Sequence, residues 1–121
     1  MKPSPAELNP VELKVLGILW EKAPMKPSEI EAAFSSEIEN ATLRSILRGL
    51  VEKGFLKRER QGKAYFYQPA RQASAVRRKI TDRLASVFAD GSRLGLIAQL
   101  IQDEKLTESQ LEELRKLTRK D

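Results

Sequence analysis

Residues 40–69 read NATLRSILRGLVEKGFLKRERQGKAYFYQP, and a change of periodicity inside this stretch decides the fold. Leu43, Ile46, Leu47, Leu50 and Val51 recur at three- and four-residue intervals, which lines one face of an α-helix. Asn40 suits the N-cap and Gly54 the C′ position, so the spacing predicts a helix over about 41–53. Its other face reads Ala41, Thr42, Arg44, Ser45, Arg48, Gly49 and Glu52, and no acid stands in its first two turns. Beyond Gly54 the period becomes extended. Phe55–Gln61 and Lys63–Gln68 flank a Gln61-Gly62 turn, and Tyr65-Phe66-Tyr67 has strong strand propensity. A β-hairpin ending before Pro69 is expected, with a tip from Lys57 to Lys63 that is mostly basic.

Upstream, Asn9 can cap a helix whose first residue is Pro10 and whose capping-box carboxylate is Glu12. Val11, Val15, Leu16, Ile18 and Leu19 give it a broad apolar face, with Trp20 as core near its end; Gly17 costs about 1 kcal/mol relative to Ala. Ala23-Pro24 breaks this helix. A short one follows from Pro27 to Phe34, with Ile30, Ala33 and Phe34 inward and Glu29 and Glu31 outward. Three helices and a hairpin in this order are the layout of a winged helix-turn-helix. The chain is thus expected to be mainly α with one small hairpin, with a winged domain over 1–70 and a helical region over 71–121.

That second region holds three helices. The first spans 71–90, with Val76, Ile80, Leu84, Val87 and Phe88 as its stripe and Asp90-Gly91 as its stop. The next runs from Ser92 to Gln102 with Leu94, Ile97, Leu100 and Ile101 apolar, and its Gly95 suggests a close helix crossing. The last opens on a Thr107-x-x-Gln110 capping box and carries Leu111, Leu114 and Leu117. About fifty residues form too small a unit to bury a good core alone. The stripe either folds back on the winged domain or pairs with a second copy. Because the long helix leads away from the hairpin, a homodimer is expected, held by Val76, Ile80, Leu84, Leu100, Leu111 and Leu114.

Composition removes whole classes of chemistry. The 121 residues include no Cys and no His, so disulfides, thiolate or imidazole metal sites and the usual nucleophile–base pairs are excluded. No catalytic site and no cofactor is expected. The opening Met1-Lys2-Pro3-Ser4-Pro5 lacks the apolar core of a signal peptide, and no apolar run approaches membrane-spanning length. A soluble, cytoplasmic protein with no membrane association is expected. The net charge of +5 is unevenly placed. Residues 1–41 sum to −3, residues 42–83 to +9 and residues 84–121 to −1. A positive block of that kind suits a polyanion, since neutralising phosphates releases condensed counterions. A merely solvated basic surface is the plainer alternative.

The sequence resembles the BlaI/MecI/CopY family of penicillinase and methicillin-resistance repressors. The likeness rests on LGILWEK at 16–22, LVEKGFL at 50–56, YFYQP at 65–69, AVRR at 75–78, and Leu106-Thr107 through Glu112-Glu113-Leu114-Arg115. It covers nearly the whole chain and implies a winged helix that binds a palindromic double-stranded operator, a C-terminal dimerisation region, and repression by occupying promoter DNA. It also implies that Thr42, Arg44 and Ser45 face the major groove. Position and chemistry agree: Arg44 could bridge guanine O6 and N7, and Thr42 and Ser45 could reach phosphates or base edges. Family members often carry Arg at the position of Gly49, whereas here the Arg is one place earlier, at Arg48. On the wing, Arg58, Arg60 and Lys63 are candidates for phosphate or minor-groove contact. Tyr65 and Tyr67 could stack on bases, or one ring could pack inward while the other stays partly exposed.

The resemblance bears on induction as well. A copper-responsive branch uses C-terminal Cys clusters, absent here. The antibiotic-responsive branch is inactivated by cleavage at an Asn-Phe bond, through a membrane-bound sensor metalloprotease. The matching dipeptide here is Gln99-Leu100, for which core packing of Leu100 is the plainer role. Two other functions stay open on sequence: a winged helix that binds protein, and a nonspecific nucleic-acid module.

Overall fold

The computed structural model describes residues 4–119; Met1-Lys2-Pro3, part of the start that lacks a signal-peptide core, and the last two residues lie outside the described residues. A 3-10 turn at Pro5–Glu7 precedes α1 (Pro10–Lys22), α2 (Pro27–Ala33), α3 (Asn40–Glu52), β1 (Leu56–Gln61), β2 (Ala64–Pro69), α4 (Ala73–Phe88), α5 (Arg93–Glu104) and α6 (Glu108–Thr118). The fold is mainly α with one antiparallel hairpin, as the periodicities require. The chain divides into two compact units, one running through Ile80 and the other starting at Thr81. This division falls inside α4, later than position 70.

The first unit is built on a continuous core. Val15, Leu16 and Leu19 of α1, Ile30 of α2, and Leu43, Leu47 and Leu50 of α3 meet Phe55, Leu56, Met25 and Tyr67. Burying each large side chain of this kind stabilises by about 1.5–3 kcal/mol. The α3 stop is a Schellman motif: Gly54 takes φ +84°, its N–H bonds to Val51 O, and the Phe55 N–H bonds to Leu50 O at 2.9 Å. That turn drives Phe55 into the core at 0% exposure. The hairpin pairs Gln61 with Ala64, so its two-residue turn is Gly62-Lys63, one place later than the sequence suggests. Gly62 supplies the positive φ (+64°) that a tight hairpin needs at the first turn position. Met25 adds a rung that no local pattern announces, exchanging N–H···O bonds of 3.1 and 2.8 Å with Tyr67.

The α1 capping box forms as expected. The Asn9 side chain accepts from the Glu12 N–H at 2.8 Å, and Glu12 accepts from the Asn9 N–H at 2.9 Å. Glu12 also makes an ion pair, its Oε2 receiving the Lys53 ammonium at 2.7 Å while the residue is only 6% exposed. Burial opposes its ionisation, but the Lys53 ammonium and the Asn9 N–H outweigh burial and hold the Glu12 carboxyl below its ordinary pKa.

Some local expectations are overturned. Val11 is 43% exposed, because α1 is covered on one side only, and Ala33 is exposed where α2 gives way to the loop. Trp20 is half-buried rather than core, its indole N–H donating to Arg71 O at 2.9 Å. Asn40 does not cap α3; it is the first helical residue, preceded by Glu39.

In the second unit Asp90 and Gly91, at φ +49° and +86°, end α4, and the Gly91 N–H returns to Ala85 O at 3.0 Å. Ser92 caps α5, its Oγ accepting from the Gly95 N–H at 2.9 Å. A Cβ on Gly95 would meet Ser92 Oγ at 3.2 Å and Ala89 Cβ at 3.4 Å, so within the chain this glycine faces the turn between α4 and α5. The Thr107–Gln110 capping box opens α6. Among the described residues, this unit buries only Ala85 and Leu96, the latter absent from the apolar positions assigned by sequence. Leu84, Val87, Phe88, Leu94, Ile97, Leu100 and Leu117 are all at least 44% exposed. Leu100, at 53%, therefore has no core role within the single chain. Among the described residues no single helix is long and apolar enough to cross a membrane.

Candidate nucleic-acid interface

The apolar stripe of α3 orients the rest of the helix. With Leu43, Leu47 and Leu50 at 0% exposure, geometry leaves Thr42, Arg44, Ser45 and Arg48 on the solvent side, and all four are exposed. The first turn of α3 has no acid and no side-chain cap. The acid nearest its positive end is Glu39, at the N-cap position just before the helix. Arg44 is anchored: its Nε donates to Asn40 Oδ1 at 2.9 Å, and the Asn40 amide in turn donates to Glu31 Oε2 at 3.3 Å. This chain of bonds holds the inner nitrogen of the guanidinium and leaves the forked end for a ligand.

On the wing, strand pairing sorts the side chains. Arg58 pairs with Tyr67 and Arg60 with Tyr65, placing these four on one face, while Glu59 and Phe66 share the other. Tyr67 lies in the core at 6% exposure and Tyr65 is 39% exposed, so one ring packs and the other is available. The Arg58 guanidinium lies 4.6 Å from the Tyr65 ring centre and that of Arg60 lies 6.0 Å from it. Arg60 Nε also donates to Gly62 O at 3.0 Å. Among the described residues, no ion pair engages Arg44, Arg48, Arg58, Arg60 or Lys63, so their charge is not neutralised by a nearby carboxylate.

A groove of about 260 Å³ joins helix and wing, lined by Lys26, Ser28, Arg44, Lys63, Tyr65 and Tyr67 among others. It brings together four of the residues singled out by sequence, the basic Arg44 and Lys63 and the aromatic Tyr65 and Tyr67. Thr42, Ser45, Arg48, Arg58 and Arg60 are exposed but do not line it. Lys26 and Ser28 were missed. They flank Pro27 at the start of a short helix, and no periodicity or charge run marks them. The Met25–Tyr67 pairing helps carry that segment to the hairpin.

Comparison with known proteins agrees with this geometry. Residues 8–120 match the family model described as penicillinase repressor. The methicillin resistance regulatory protein MecI of Staphylococcus aureus strain N315 is 24% identical over 116 residues, covering 94% of either chain. Among solved structures, the DNA-binding domain of the repressor BlaI superposes with a TM-score of 0.54 and 26% identity, over 61% of this chain and 92% of that one. The monomeric form of Bacillus licheniformis BlaI, solved in complex with the blaP half-operator, gives 0.51 and 25% over the same shares. With a winged fold, an unpaired basic face and a family match over nearly its whole length, the chain belongs to the penicillinase repressor family.

Proposed function

We propose that the protein is a transcriptional repressor that binds a palindromic operator in double-stranded DNA as a homodimer, acting in the cytoplasm and catalysing no reaction. The observation that carries this reading is the exposed face of the first two turns of α3, which holds no acid, beside a wing whose arginines have no ion-pair partner among the described residues. Arg44 reads a base edge, Thr42 and Ser45 reach base edges or phosphate, and Arg48, Arg58, Arg60 and Lys63 grip the backbone. Two copies are supported by the second unit, whose apolar side chains Leu84, Ile97 and Leu100 are uncovered in one chain. Leu111 and Leu114 of the same unit are half-buried, as is Ile80. Val76, already 1% exposed, has almost nothing left to offer a second copy.

Release by a membrane-bound sensor metalloprotease belongs to the same proposal. The Gln99-Leu100 bond sits inside α5, and the Gln99 amide donates to Phe88 O at 2.8 Å. Cleavage there requires local unwinding of the helix and separates α6 from the rest of the dimer surface.

A gel-shift of the protein on its own upstream promoter and on random duplex, at two salt concentrations, tests the central claim. A repressor keeps a large preference for its site as salt rises, while a nonspecific binder loses affinity for both duplexes together. A winged helix that binds protein shifts neither.

A further inference from the structure

We propose that Tyr65 is a positioning residue for the wing: its ring holds the guanidiniums of Arg58 and Arg60 in the orientation that meets backbone phosphates. The inference rests on the DNA-binding reading above and adds a role that charge alone does not assign. A wing-tip arginine in water samples many rotamers, and that freedom must be surrendered on binding. Here it is already restricted. Arg60 is directly opposite Tyr65 in the hairpin register, and Arg58 is its diagonal neighbour, within reach of a long side chain. One guanidinium lies 4.6 Å from the ring centre and the other 6.0 Å, inside the range of cation–π attraction. Arg60 is held a second time by Gly62 O.

The neighbouring aromatic cannot take this part, because Tyr67 is buried in the core and its backbone is bound to Met25. Nor does an acid compete for the arginines: the wing's single carboxylate, Glu59, stands opposite Phe66 on the other face. The same Tyr65 lines the groove that contains Arg44 and Lys63, which places the ring beside the recognition helix. A ring with guanidiniums laid against it serves as a platform for cations rather than for stacked bases.

The test uses the full-length protein and a random-sequence 30-base-pair duplex, with affinity measured by fluorescence anisotropy between 50 and 200 mM salt. Y65A is expected to bind about 3- to 20-fold more weakly, as one or two cation–π interactions disappear. Its plot of log affinity against log salt should be shallower by about one to two, the weight of the phosphates no longer neutralised. Y65F keeps the ring face and should match the parent. Y65L keeps apolar bulk without the ring and should behave as Y65A, with thermal melts showing that each variant is folded. In an R58A/R60A background, Y65A should have no further effect. An unchanged slope and affinity in Y65A and Y65L, a Y65F variant as weak as Y65A, or a full Y65A effect without the arginines would each overturn the inference. If the parent protein itself fails to bind the duplex at 50 mM salt, the DNA-binding reading fails along with it.

Discussion

Leu47 on α3 and Ile97 on α5 hold similar places in apolar stripes of helical spacing, yet the first is 0% exposed and the second 48%. The difference lies in what surrounds them. Three helices, a hairpin and the Met25 segment enclose the first stripe, so every large side chain on it finds partners within the chain. The second unit is three helical segments with little between them, and among its described residues only Ala85 and Leu96 are buried. One unit completes its core, and the other leaves an apolar surface that a second copy can cover. An amphipathic pattern therefore says that a face will be buried, but not by which molecule.

The largest effect should come from breaking the closed core. F55A removes a fully buried ring at the end of α3 and its stack beneath Arg71, and should destabilise by about 3–5 kcal/mol in denaturant unfolding. A loss below about 1 kcal/mol would mean that the first unit is not the stable one. The open surface gives the converse case. I97D places a charge on the exposed stripe of α5 and should weaken self-association by about 2 kcal/mol or more, without unfolding the winged unit. Light scattering should then report the monomer mass at concentrations where the parent is a dimer, and an unchanged mass would remove this surface from the interface.

The polar face of α3 comes next. Replacing Arg44 and Ser45 together by Ala should lower discrimination between operator and random duplex by about 1–3 kcal/mol, with the melting profile unchanged. Intact discrimination would place sequence reading elsewhere. The smallest effect is expected at Glu12. E12Q retains a side-chain acceptor for the Asn9 N–H but loses the ion pair with partly exposed Lys53, and should cost about 1–2 kcal/mol at neutral pH. Folding lowers the Glu12 pKa from its ordinary 4.5, so the contribution is complete above that value and disappears as pH falls through the lower folded-state value. Urea unfolding of both proteins from pH 7 down to pH 3 should show the two stabilities converging; a constant gap would assign the loss to packing instead of charge.

Features set by neighbours within four residues were legible. The Asn9–Glu12 and Thr107–Gln110 capping boxes, the Gly54 stop and the Leu43–Leu47–Leu50 stripe are all short-range, and the structure contains each of them. Candidate interface residues were legible as exposed because a buried stripe on a helix determines where the opposite face must point. Features set by distant chain were not legible. Nothing near Met25 announces its pairing with Tyr67, and Asn40, a good cap by residue type, instead bonds Arg44 and Glu31. Arg58 and Arg60 were visible as charges, but their shared ring depends on a hairpin register one residue away from the anticipated turn.

Residue order alone determined the helices, the capping boxes of α1 and α6, the existence of the hairpin and the concentration of positive charge in the middle third, since local sterics, hydrogen bonding and hydrophobic period act over one or two turns. Only the tertiary structure decided which stripes close on themselves, which side chains line the groove between α3 and the wing, and which carboxylate is tied to Lys53. Those outcomes depend on segments far apart in sequence competing for the same apolar surface and the same donors, and that competition is resolved only when the chain packs.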